Sequence, residues 1–164
     1  MARKKASDWK RYRVDVVRHE IADAIPLRIE SPAKAVELFT QDAKRLMTES
    51  LWVLTLDGRN GLLGIEQIYS GTATGTSVRV GELFRYAVAS GGCGIILAHN
   101  HPSGDPQASD EDKRLTTEVI KASRLLDIEI LDHLVIGNGA YTSIRSENPL
   151  MWASGESAIE AFTQ

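Results

Sequence analysis

Apolar positions along this chain switch between two spacings, and each switch marks a change of element. From Ser31-Pro32, serine as cap and proline at the first helical position, the pattern Ala35, Leu38, Phe39 predicts a helix to about Leu46. After Thr48-Glu49 the run Leu51 to Leu56 predicts a strand, Asp57-Gly58-Arg59-Asn60-Gly61 a turn, and Leu62 to Tyr69 a second strand, giving a hairpin. Residues 71–77, rich in Gly, Thr and Ser, read as a flexible connection. Val80 to Ala89 then forms a helix with Leu83, Phe84, Ala87 and Val88 inward, ended by Gly91-Gly92.

Gly94 to Ala98 is a short β-branched apolar run of the kind that makes a buried strand. Ser109 to Leu126 is the longest helix, with Leu115, Val119, Ala122 and Leu126 on one face. Ile128–Leu131 and His133–Ile136 read as strand, Gly137-Asn138-Gly139 as a turn, and Tyr141–Ile144 as a closing strand. Because a hairpin sits inside the alternation, the expected class is α/β, a mixed β-sheet with helices packed on it. Tyr12 to Val17 alternates loosely and is a candidate edge strand, while the tail carrying Met151, Trp152 and Phe162 is left open between a short packed helix and none.

Bulk properties narrow the class. A chain of 164 residues, 43% hydrophobic and 25% charged, suits one soluble globular domain. A net charge of −3 argues against coating nucleic acid by global charge, and a single cysteine, Cys93, excludes an intramolecular disulfide framework. With neither a membrane-length apolar run nor a signal-peptide core, no membrane association and a cytoplasmic location are expected. The first twenty residues are basic (Arg3, Lys4, Lys5, Lys10, Arg11, Arg13, Arg18) with Trp9 and Tyr12 interleaved. Such an arm is ordinarily a solvated tail or one packed on a second subunit of a homodimer; contact with DNA is the alternative.

The chemistry concentrates in residues 97–112. His99 and His101 alternate at the end of the buried strand and so point to one side, a geometry suited to one metal ion. A Pro/Gly/Ser/Asp loop follows, and Asp112 sits on the first turn of the long helix, facing back. Two imidazoles and a carboxylate suit zinc with a fourth position open to water. Ser109-x-x-Asp112 is equally a capping box, and on spacing alone Asp112 is ligand or cap.

His99-x-His101, seven residues, then Ser109-x-x-Asp112 resembles the signature of the JAMM metalloprotease (MPN-domain) superfamily, and His99-Asn-His-Pro-Ser-Gly-Asp-Pro106 resembles its bacterial RadC branch. The likeness extends through Glu49 to Asp57, Gly71-Thr72, Glu82-Leu-Phe-Arg85, Leu115-Thr116 and Leu131 to Gly137. It implies three segments: a basic N-terminal extension (1–26), an MPN/JAMM RadC-like domain (27–150) of the cytidine-deaminase-like sandwich type, and a C-terminal tail (151–164). RadC proteins usually carry an N-terminal helix-hairpin-helix region, for which this chain has no room, and functions of that region are not carried over.

The resemblance implies a zinc metallopeptidase holding one Zn2+ by His99, His101 and Asp112 and acting on a peptide or an isopeptide-linked protein. Its water needs a carboxylate proton acceptor. Glu49 matches the superfamily's catalytic glutamate; Glu82 is the rival, more readily read as a solvated helix residue. Ser109, in the signature's serine position, would donate to the oxyanion, and can also cap the helix. His133 is read as structural or bonded to a ligand, rather than a fourth ligand. Ser103 lacks a base, Cys93 is read as an inert thiol in a core-bound segment, and Gly91-Gly92-x-Gly94 precedes its strand and so is no phosphate loop. The alternative function is a RadC-like accessory protein of DNA repair that binds DNA or a repair partner without proteolysis.

Overall fold

The computed structural model describes residues 27–39, 48–71 and 78–153. Its strands are β1 (Glu49–Leu56), β2 (Leu62–Gly71), β3 (Gly94–Asn100), β4 (Glu129–Ile136) and β5 (Tyr141–Ser143), in one sheet ordered β2-β1-β3-β4-β5. The β3–β4 pair is parallel and the others antiparallel, so the sheet is mixed as expected. The helices are α1 (Pro32–Glu37), α2 (Val80–Ser90), α3 (Asp110–Leu126), α4 (Ile144–Glu147) and α5 (Pro149–Ala153).

Alternation along the central strands sorts side chains onto two cores. Trp52, Leu54 and Leu56 of β1 and Ile96 and Ala98 of β3 pack against α1 through Ala35 and Val36. Leu51, Val53, Ile95 and Leu97 face the other way, against Leu83, Phe84 and Ala87 of α2 and Val119 and Ile120 of α3. With helices on both sides, β3 is buried along its length, which is why it reads as a continuous apolar run. At the sheet edge, β2 alternates between exposed and half-buried positions.

Local chemistry sets the helix ends. Ser31 caps α1 by accepting the Lys34 N–H at 3.2 Å, with Pro32 opening the helix. Gly91 ends α2 at φ 70°, a left-handed conformation that glycine adopts without steric cost.

Several expectations are corrected. Val88, assigned to the inner face of α2, is 61% exposed, and Leu126 of α3 is also exposed. The buried stripe of α3 is Thr116, Val119, Ile120 and Ser123. Two of these are polar, and their hydroxyls donate to Asp112 C=O (2.6 Å) and Ile120 C=O (2.8 Å) of their own helix, which lets them face the core. Cys93 is exposed, in the link before β3 rather than in the core. Ile144 starts α4 instead of ending a strand. The tail, left open by the sequence, forms a short helix over Pro149–Ala153 whose Met151 and Trp152 pack on the core. The helix expected from Pro32 through Phe39 to about Leu46 ends at Glu37, with Leu38 and Phe39 in a turn. The basic arm, the candidate strand 12–17, residues 40–47, residues 72–77 and Phe162 lie outside the described residues. Among the described residues no helix is long and apolar enough to cross a membrane.

Candidate metal centre

Strand β3 ends where the sheet meets the first turn of α3, and there His99, His101 and Asp112 converge. One donor atom from each lies within 4.8 Å of the others. His99 Nε2 and His101 Nε2 are 3.0 Å apart, Asp112 Oδ1 is 3.2 Å from the former, and Asp112 Oδ2 is 3.6 Å from the latter. A tetrahedral zinc with arms of about 2.0–2.2 Å has ligand–ligand edges of about 3.3–3.6 Å, so this donor set fits the ion.

Hydrogen bonds behind the donors decide which nitrogen carries a proton. His101 Nδ1 lies 2.9 Å from the carbonyl of Asp105, a pure acceptor, so Nδ1 is the protonated nitrogen and Nε2 of the neutral ring keeps its lone pair. His99 is set by a longer chain. Thr116 donates its one hydroxyl proton to the Asp112 carbonyl, so its oxygen accepts from His133 Nδ1 at 2.7 Å. His133 Nε2 is then an acceptor for His99 Nδ1–H at 2.9 Å, and His99 Nε2 is left bare. Two imidazole lone pairs and a carboxylate thus face one another with no donor among them, an arrangement that a cation satisfies.

Without a cation, a proton between an imidazole and the carboxylate plays the same part, and the electrostatics show how strongly the site favours positive charge there. Burial, the largest single influence, raises the Asp112 carboxyl, but hydrogen bonds from His101, His99 and Ser109 outweigh it and hold it far below the usual carboxylate range. The bond to Asp112 raises His101 against the opposing effect of desolvation. His133, fully buried, is pushed down to about 3 by desolvation and then by the charge of His99, so it stays neutral and able to relay hydrogen bonds.

Asp112 as cap and as ligand need not exclude each other. Its Oδ2 accepts from Ser109 N–H (2.8 Å) and Ser109 Oγ–H (2.6 Å), while its own N–H donates to Ser109 Oγ (3.1 Å), a complete capping box. Its Oδ1 remains directed at His99. Ser109 therefore spends its hydroxyl proton on Asp112 in this structure.

These groups open on a cleft of about 580 Å³ that also contains Glu49, Leu51, Tyr69, Val78, Val80, Glu111, Arg114, Leu115 and Glu118. Glu49 and Ser109 are thus brought to the same cleft as the three donors. Glu82 is not: it lies on α2 near Arg79, at a separate groove with Phe84, Arg85 and Val88. A second hollow, lined by Arg124, Arg145 and Trp152, is remote from the histidines.

Sequence reasoning missed Thr116 and Asn100. The position of His133 also depends on a bulge: Ile95 pairs with Ile130 but Ile96 with Asp132, leaving Leu131 extra. That one-residue slip turns His133 onto the face of Leu97 and His99. The hidden signal for Thr116 was a polar residue at a core-facing spacing, four after Asp112. Asn100 is the middle residue of the H-x-H pair; its amide accepts Ser50 N–H at 2.8 Å and donates to Thr48 C=O at 3.1 Å.

A mixed sheet with helices on both faces, presenting at the mouth of a cleft two histidines and an aspartate that could hold a metal ion, defines the α/β class of this domain. Residues 29–149 match the model of the RadC-like JAB domain, and the chain belongs to that family. It is 42% identical over 130 residues to a UPF0758 protein of Chloroflexus aurantiacus, covering 79% of this chain and 56% of that one. It is 44% identical over 118 residues to a UPF0758 protein of Roseiflexus castenholzii (72% and 51%) and 44% over 122 residues to one of Thermosynechococcus vestitus (74% and 49%). The chain spans about half the length of these curated relatives.

Proposed function

We propose that this domain is a zinc-dependent metallohydrolase, a peptidase or isopeptidase of JAMM type that hydrolyses an amide bond with an activated water. The observation that carries the reading is the convergence of His99, His101 and Asp112, with one ligand atom of each within 4.8 Å of the others, in a cleft that also holds Glu49. His99 Nε2, His101 Nε2 and Asp112 Oδ1 would hold the ion. When bound, zinc supplies the acidity that ionises a coordinated water near neutral pH and polarises a carbonyl.

The remaining work falls to the chain. Glu49 takes a proton from the water and returns it to the departing amine, so the carboxylate ends the cycle as it began. Ser109 donates to the developing oxyanion once its hydroxyl turns from Asp112 Oδ2. His133 and Thr116 keep the His99 proton on Nδ1. Half-buried Tyr69, Val78, Val80 and Leu115 give the cleft an apolar wall beside the donors, which suits a peptide side chain next to the scissile bond better than a phosphodiester backbone.

The test joins metal analysis to a substrate panel. Protein purified without affinity metals is expected to carry about one zinc, largely lost in His99→Ala and His101→Ala. Peptide- and isopeptide-linked reporters, offered beside single-stranded and branched DNA at two salt concentrations, should show hydrolysis that needs zinc and falls about a hundredfold or more in Glu49→Gln. Salt-sensitive DNA binding that survives Glu49→Gln, with no bond cleaved in any substrate, would overturn the peptidase in favour of the accessory protein.

A further inference from the structure

Asn100 lies between the two histidines and on the opposite face of β3, 2% exposed. Regular β1–β3 pairing stops at Leu51 opposite His99. Beyond that point the Asn100 side chain makes the rung that the two backbones do not: Oδ1 accepts from Ser50 N–H, and Nδ2 donates to Thr48 C=O. The amide orientation follows from its partners, since an N–H must meet the oxygen and a carbonyl must meet the NH2.

Those two partners are the peptide groups on either side of Glu49. Each peptide group is planar, so gripping the one before and the one after restricts both backbone torsions of Glu49 and with them the direction of its Cα–Cβ bond. On its other side Glu49 pairs with Gly71, the last residue of β2. Asn100 is thus bonded covalently to both histidines and by hydrogen bonds to both flanks of the glutamate.

We propose that Asn100 is a positioning residue that holds Glu49 in register with the metal donors, making the middle residue of the H-x-H pair the link between metal and proton acceptor. This rests on the reading of Glu49 as that acceptor. A merely structural asparagine would stabilise the end of β1 without any effect at the metal. A positioning residue acts on the metal only through Glu49.

Cobalt(II) is the probe, because its visible absorption reports the ionisation of its bound water without requiring a substrate. Wild type, Glu49→Gln, Asn100→Leu, Asn100→Ala and Glu49→Gln/Asn100→Leu are loaded with one equivalent and titrated over about pH 5 to 9, around the neutral range expected for such a water. All should bind cobalt, since the three donors are untouched. Glu49→Gln should displace the spectroscopic midpoint. Asn100→Leu, which keeps the branching at Cγ but lacks the amide, should displace it in the same direction by at least half as much, and the double variant no further than Glu49→Gln, the non-additivity of groups acting as a unit.

Asn100 variants at the wild-type midpoint, beside a displaced Glu49→Gln, would sink this inference and leave the function standing. An undisplaced Glu49→Gln would sink both. Should Asn100→Leu fail to fold, Asn100→Ala is read in its place. In folded wild type, amide exchange at Ser50 as slow as in the interior of β1 is expected, and rapid exchange there would also overturn the clasp.

Discussion

Thr116 touches none of the cleft's donor atoms, yet Thr116→Val should loosen the metal. Valine matches threonine in shape and removes one oxygen, the oxygen that accepts from His133 Nδ1 and donates to Asp112 C=O. His133 is wholly buried, so its Nδ1–H would be left unpaired at a cost of about 1–3 kcal/mol. The ring escapes by moving the proton to Nε2. That nitrogen then donates to His99 Nδ1, and a neutral His99 must carry its own proton on Nε2, where the metal should bind. Either the unfavourable tautomer is paid for or the donor is lost, and for partners of metal-bound histidines the usual consequence is about 10- to 100-fold in affinity. Zinc competition with a chromophoric chelator measures this, and denaturation of the metal-free protein measures the stability cost separately. A Thr116→Val protein that is destabilised but binds zinc within about threefold of wild type would refute the relay, because that shift lies well below the tenfold expected.

Three further outcomes follow from the geometry. Asp112→Asn should abolish most zinc binding while costing the metal-free fold at most about 1 kcal/mol, since the amide still accepts from Ser109 but is a poor ligand; retained zinc would leave Asp112 a cap only. A Cβ at Gly137 would clash with the Gly104 carbonyl, so Gly137→Ala should displace the 102–108 loop that holds His101 Nδ1, losing about 1–3 kcal/mol by denaturation and weakening zinc with every ligand in place. On zinc-loaded protein, a hydroxamate bearing a leucine side chain should bind roughly tenfold or more tighter than its glycine counterpart by calorimetry, and equal affinities would refute the apolar wall as a side-chain subsite.

The elements were legible where one physical signal dominated. Uninterrupted apolar runs gave the central strands, Ser31-Pro32 and Gly91 gave helix ends, and alternation at the end of a buried strand put His99 and His101 on one side. Three-dimensional pairing hid the rest. The Leu131 bulge, which decides where His133 points, has no periodic signature, because it consists in breaking the period. Thr116 and Ser123 look like surface residues until their hydroxyls are seen returning to their own helix. Val88 went astray because α2 buries a narrower stripe than its apolar positions suggest. Glu49 was reached by resemblance, since no spacing rule joins it to donors fifty residues on, and Asn100 was passed over because its neighbours carry the more conspicuous chemistry.

The three metal donors come from one short stretch of chain, whereas Glu49 arrives from a strand far back in sequence. His99 and Asp112 are thirteen residues apart, while the Asn100–Ser50 contact spans 50. Closing the longer loop costs about 1 kcal/mol more in chain entropy, and it also requires the β1–β3 ladder to zip. On the proposed reading the β3–α3 unit supplies all three ligands, with His99 steadied by His133 of β4, and the carboxylate of Glu49 is an addition by long-range contact. On that same reading, closing the short loop would bring the ligands together before β1 has to pair, and the proton acceptor would join them only when the sheet is complete.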